Sequence, residues 1–379
     1  MAERRPPGSG SDPGPDLAPT DEEALAVLDA LEPGRQEVVP DQVSLARRLR
    51  QPRTIISIIV PIVITVLIVV NVQAFDFELL ANAILSADPV LLLGAFVVYY
   101  AGFPLRGYRW SLLLAGAGVR TRLRDATEIL FISWTVNCLV PAKLGDVYRA
   151  YLHKANYASS LSTTLGTVFI ERIFDLFAIA SLGLAAGYWS FRSEVPPYVQ
   201  AILALGVVVV VVLALGMFTL RNFGRRLLTR LPVPHRVIEL YDRFEAGVFS
   251  IDRRRVPVIG ILTILIWSSE AARLYLVVEA LGFPDVHLGI SGAFFVALSA
   301  SLLTAIPLTP AGLGVVEAGV VGILTLVYGV PFTEATAIAL VDRAISVLSV
   351  ILIGSVVYVL SPLTKVRAAG PQSGTQPAA

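Results

Sequence analysis

The chain has 379 residues, 55% hydrophobic and 16% charged, with a mean hydropathy of +0.72, more apolar surface than a soluble domain can cover. Lys and Arg number 30 against 29 Asp and Glu, a net charge of +1, which points to no nucleic acid and no acidic partner. One cysteine, Cys138, and three histidines exclude an intramolecular disulfide and a thiolate metal cage, and neither a metal nor another cofactor is expected.

Residues 1–50 read as a disordered acidic cytoplasmic tail, too polar to fold alone. Within it, TDEEALAVLDALEPG predicts one short helix. Thr20 caps it, Glu23 completes a capping box, Leu25, Leu28 and Leu31 share a face, and Pro33-Gly34 ends it. The stripe on residues 21–32 is either a docking face for a cytoplasmic partner or a marginal helix on a polar tail. The first 45 residues hold no apolar core of a cleavable signal peptide, so the first membrane helix is expected to direct insertion.

A transmembrane domain is expected over residues 51–367, followed by a disordered tail at 368–379. Apolar runs at 54–75, 89–116, 158–191, 197–220, 256–282 and 333–361 predict six full crossings. Two further stretches, 126–157 and 288–329, break at Pro141 and at Pro307 with Pro310, and each reads as a re-entrant hairpin. The second limb of the first, LGDVYRAYLHKAN, is too polar to cross a bilayer, whereas that of the second, LGVVEAGVVGILTLVYG, is apolar enough to do so. The positive-inside rule places both termini in the cytoplasm, and the membrane is expected to be a bacterial plasma membrane. Arg47, Arg48, Arg50 and Arg53 precede the first crossing, Lys365 and Arg367 follow the last, and a basic linker at 221–255 lies on the same side as amphipathic helix.

PAKLGDV at 141–147 matches PAGLGVV at 310–316 in five of seven positions. Glu171-Arg172 follows the first and Asp342-Arg343 the second at similar spacing, and Arg109 and Arg273 each precede a glycine, Gly118 or Gly282, by nine residues. The expected fold is therefore all-α, with one repeat at about 88–191 and another at about 256–361. Three crossings separate equivalent points, so the copies are expected to be inverted, with a site near the midplane and one half rocking against the other.

Charges inside a bilayer face the interior and usually pair. Arg106, Arg109, Lys143, Arg149, Arg172, Arg273 and Arg343 are candidate ligands of a phosphate. Asp146, Glu171, Asp175, Glu317 and Asp342 complete the candidate set, as counter-charges or proton carriers. The alternative is that the pairs only lock helices together. Pro141, Gly145, Pro307, Pro310, Gly312 and Gly314 are assigned the backbone role of breaking and turning the hairpins. Other chemistries fail on residues. GISG at 289–292 fits an intramembrane serine protease, but no histidine follows His287; LGD at Asp146 lacks the first glycine of GxGD; no GxxxxGK loop is present.

At PAKLGDVYR, FIERIFDL and PLTPAGLGVVE the chain resembles the flippase-like family named after the transmembrane region of lysylphosphatidylglycerol synthases. The resemblance spans about residues 55–360, with Asp146 and Ala311 where Glu and Gly are expected, and implies handling of aminoacylated phospholipids or other polar lipids. The matching positions are Pro141, Lys143, Gly145, Asp146, Arg149, Glu171, Arg172, Asp175, Pro310, Gly312, Gly314 and Glu317. Only 19 residues follow Leu360, so the soluble aminoacyl-transferase domain and lysyl-lipid synthesis are not expected. The reading reached is a flippase or scramblase for an anionic or phosphate-bearing polar lipid rather than an enzyme. Its alternative is a membrane-embedded enzyme acting on a lipid-linked headgroup or sugar, with a general base such as Glu171 or Asp146.

Overall fold

A computed structural model describes residues 77–364 apart from 141–142, 158, 193–194, 231–233 and 304–308. The tail helix, the 54–75 crossing, Pro141, Pro307, Lys365 and Arg367 lie outside the described residues, where helices and short helical turns alternate with no strand.

Helix α1 (Phe77–Ser86) leads into α2 (Pro89–Gly116). Asp88 starts α2 by accepting from the amides of Val90 at 2.7 Å and Leu91 at 3.2 Å, with proline at the first helical position. The first broken segment is α3 (Leu123–Leu139) and α4 (Leu144–Asn156), followed by α5 (Leu161–Ser190) and α6 (Pro197–Thr229). Then come α7 (His235–Val248), α8 (Val256–Leu281), α9 (Gly289–Leu303), a 3-10 turn at Pro310–Gly312 and α10 (Val315–Tyr328). The last long element is α11 (Phe332–Arg343) joined through a π turn (Ala344–Leu348) to α12 (Ser349–Leu360).

Among the described residues five helical stretches are long and apolar enough to cross a membrane: Pro89–Gly116, Val199–Arg226, Val256–Leu281, Pro310–Tyr328 and Phe332–Leu360. The protein is thus an integral, multi-pass, all-helical membrane protein. The 30-residue α5 is as long, but Glu171, Arg172 and Asp175 interrupt its apolar run. Two boundaries differ from expectation. Helix α6 continues nine residues past 220, because LRNFGRRLLT is a good helix former once the apolar run has set the axis. The basic linker is thereby divided, its first part extending α6 and its second forming α7. Helix α1 and the π turn are the elements that hydropathy left unread.

Among the described residues the most extensive helix packing is between α2, which carries Arg106 and Arg109, and α8, which carries Arg273. Around this pair the halves interleave. Limb α9 packs on α5, and limb α3 packs on α12. Small residues permit the closest crossings: a side chain on Gly166 of α5 would overlap the Phe244 carbonyl and the Cα of Gly247 in α7. Likewise a Cβ on Gly145 would strike the Ser133 carbonyl, so this glycine holds α4 against α3.

Candidate functional site

Two backbone devices aim the site. Lys143 ends the first break in the left-handed conformation, φ 52°, and Gly312, its counterpart in the PAKLG and PAGLG alignment, has φ 70°. Ala311 shares that conformation at φ 51°, a strained choice for a residue with a side chain. Each turn delivers an acidic residue in the first turn of the next helix, Asp146 in α4 and Glu317 in α10, where the helix dipole favours negative charge.

Each of these carboxylates is met by an arginine 26 residues later. Arg172 grips Asp146 with two bonds, Nη2 to Oδ1 at 2.7 Å and Nε to Oδ2 at 3.0 Å. Arg343 Nε donates to Glu317 Oε1 at 2.7 Å, and its Nη2 to the Ala311 carbonyl at 2.6 Å. The acid preceding each arginine takes a second arginine from the central pair. Arg109 of α2 donates to Glu171 at 3.0 Å, and Arg273 of α8 clasps Asp342 at 2.8 and 3.0 Å. The two halves repeat one wiring pattern.

Other bonds are peculiar to one half. Arg149 from α4 donates twice to Glu171, at 2.8 and 3.3 Å, and lies 3.8 Å over the Trp110 ring. Arg109 also holds Asp175 at 2.7 Å and Thr263 at 2.9 Å, while the Trp267 indole N–H donates to Asp175 at 3.0 Å. Glu270 of α8 joins Arg106, at 2.6 Å, to Arg273. Arg106 in turn lies 4.9 Å over the Trp134 ring. Ionised groups this deep persist only when paired and hydrogen-bonded.

A cavity of about 330 Å³ opens among these groups, at the small end of the ligand-pocket range of roughly 300–1,000 Å³. Six of the twelve proposed binding residues line it: Lys143, Arg172, Asp175, Arg273, Asp342 and Arg343. Arg106, Arg109, Asp146, Arg149, Glu171 and Glu317 stand behind the wall as partners of others. Behind the wall the Arg109, Arg149 and Glu171 side chains are 1% exposed, whereas on it Arg172 is 23% and Arg343 15% exposed. Of the hairpin residues, Gly312 lines the cavity, Gly145 and Gly314 lie at the starts of α4 and α10, and Pro310 opens the 3-10 turn.

Sequence reasoning left Glu270 out of the site, and it missed the aromatic wall of Tyr99, Trp134 and Trp267. Aromatic residues are too common in apolar helices to signal a cavity by themselves. Leu176, Ile179, Leu274, Val316 and Val320 supply the apolar remainder. Among the described residues no group of His, Cys, Asp and Glu is arranged to hold a metal.

Three archaeal relatives bear on identity. A UPF0104 membrane protein of Methanocaldococcus jannaschii is 36% identical over 224 residues, 59% of this chain and 92% of the relative. A UPF0104 membrane protein of Methanothermobacter thermautotrophicus is 28% identical over 295 residues, 73% of this chain and 84% of the relative. The protein named glycosyltransferase AglD in Haloferax volcanii is 29% identical over 342 residues, 81% of this chain but 54% of the relative, so this chain spans about half its length. The family model described as the lysylphosphatidylglycerol synthase TM region matches residues 55–354, which include both broken segments and every cavity-lining residue, and the chain belongs to that family.

Proposed function

We propose that the protein moves an anionic, phosphate-bearing polar lipid between bilayer leaflets, the headgroup passing through the cavity between the two broken segments. The observation that carries the reading is the cavity wall: three arginines and a lysine beside apolar side chains, at the meeting point of the α2–α8 pair. Guanidinium groups recognise phosphate with fixed geometry, and an apolar flank tolerates the lipid portion. The recurrence of one wiring pattern in both halves, together with matched left-handed turns at Lys143 and Gly312, supports an inverted repeat with hairpins that re-enter the membrane. The same reading has six crossings, a plasma-membrane location and cytoplasmic termini.

A second reading, a membrane enzyme acting on a lipid-linked headgroup or sugar, draws support from the name of the Haloferax relative. Against it, every cavity carboxylate is already engaged: Asp175 by Arg109 and Trp267, Glu270 by Arg106 and Arg273, and Asp342 by Arg273. A carboxylate neutralised by an arginine is a weaker base towards substrate than a free one.

The test uses the purified full chain in liposomes carrying fluorescent lipid in both leaflets. Transport predicts that external dithionite also quenches the inner-leaflet label, with lipid mass unchanged. A changed lipid mass without leaflet exchange would establish the enzyme instead.

A further inference from the structure

The ionic network around the cavity does not balance. Six arginines, 106, 109, 149, 172, 273 and 343, meet six carboxylates, 146, 171, 175, 270, 317 and 342, and every one of these twelve groups has a partner of opposite charge. Lys143 is the thirteenth member. It lines the same cavity, and among the described residues its ammonium makes no direct ion pair. The surplus is therefore one positive charge, on the wall and half-buried.

Two further donors belong to arginines that line the same space. Arg172 binds Asp146 through Nη2 and Nε, leaving Nη1 only a 3.5 Å approach to Asp175. Arg343 spends Nε on Glu317 and Nη2 on the Ala311 carbonyl, and its Nη1 has no protein partner among the described residues. Each donor comes from the equivalent helix of one half. The backbone at Lys143 adds weight: a residue with a Cβ is strained in the left-handed region, and the counterpart position is glycine, so the side chain is held there against a conformational preference.

We infer that the cavity takes a headgroup of one net negative charge, a phosphodiester monoanion, and that Lys143 is the residue that selects for it. The inference rests on the transport reading and narrows its substrate. The phosphate oxygens accept from the spare Nη1 groups of Arg172 and Arg343 while its charge cancels that of Lys143. A headgroup that carries its own ammonium brings no net charge and leaves Lys143 uncompensated in a poorly solvated site. A phosphomonoester dianion overshoots by one charge.

Calorimetry on the purified full chain in nonionic detergent tests this with three probes: dihexanoyl-phosphatidylglycerol, dihexanoyl-phosphatidylcholine and free glycerophosphoglycerol. Both lipids carry the phosphodiester, and the choline ammonium set against Lys143 predicts about tenfold or greater preference for the glycerol over the choline lipid. In Lys143→Gln the preference should fall to within about threefold, and in Lys143→Arg it should persist, since the charge is kept. No preference in the parent protein, or an undiminished preference in Lys143→Gln, overturns the inference. Glycerophosphoglycerol binding as tightly as the lipid keeps the monoanion site and removes the lipid as its source. Liposomes in which both headgroups cross equally fast keep transport and remove charge selection, so the two failures are distinguishable.

Discussion

The two broken segments place the same groups in the same relation but are built of different material. In the first, α4 is polar, and Arg149 and His153 are fully buried against α5 and the preceding loop. In the second, α10 is apolar apart from Glu317, and its partner Arg343 leads into a π turn instead of a further ionic layer. Helix α4 is tied by two ion-paired residues, Asp146 and Arg149, whereas α10 is tied by one, Glu317, through Arg343, which also bonds the Ala311 carbonyl. π turns occur disproportionately at functional sites, where a side chain must be re-aimed within a helix. Equivalent chemistry at the wall thus does not require equivalent stiffness behind it.

The sharpest way to break this contrast is Glu171→Ala. It strands Arg149 and leaves Arg109 only Asp175 as counter-charge, both with little access to solvent, and should lower stability by about 3–5 kcal/mol or abolish recovery of folded protein in detergent. Glu317→Ala frees one partly exposed arginine and one amide, and should lower it by about 1.5–3 kcal/mol, with folded protein retained. Equal losses in thermal melts would mean the halves are equally stiff.

A second difference can be read by pH. His153, at the end of α4 and outside the five long apolar stretches, bonds Thr121 at 2.9 Å and Ser159 at 2.8 Å and stacks on Tyr157. Burial first, and the Arg149 charge second, push its pKa down from 6.5 to about 4. The native imidazole stays neutral where the unfolded chain takes up a proton. Stability is therefore complete above pH 6.5 and declines as pH falls from there towards 4, by at most about 3 kcal/mol. His153→Gln should flatten that part of a pH–melting profile, and α10 contributes no counterpart.

The smallest effect sharpens the comparison of the two turns. Lys143→Gly relieves a left-handed residue and should raise stability by about 1 kcal/mol while slowing anionic-lipid exchange. Gly312→Ala imposes the same strain on the other turn and should lower stability by a similar amount. A Lys143→Gly protein that is less stable would mean that the lysine is held by interactions that outweigh its strain.

Much of this was legible in the primary structure for physical reasons. Charge at membrane depth must find charge, so Arg109, Glu171, Arg172, Arg273, Asp342 and Arg343 announced a shared interior, and LGDVYRAYLHKAN marked α4 from first residue to last. What stayed hidden was who pairs with whom. Glu171 and Asp175 lie on one helix face, and nothing in their spacing tells that Arg109 serves both while Arg172 turns to Asp146. Glu270 was hidden for the same reason. The π turn was unreadable because its surroundings are tertiary: the Tyr99 hydroxyl donates to the Ser346 carbonyl, and Tyr100 bonds Ser349.

The interleaving of limbs restricts how such a molecule can open. Were one sequence repeat to tilt as a block, α9 would peel from α5 and α3 from α12, uncovering small, closely fitted surfaces such as that of Gly354 on Thr135. A hinge drawn along the repeat boundary would have to break both crosswise packings, α9 on α5 and α3 on α12, at once.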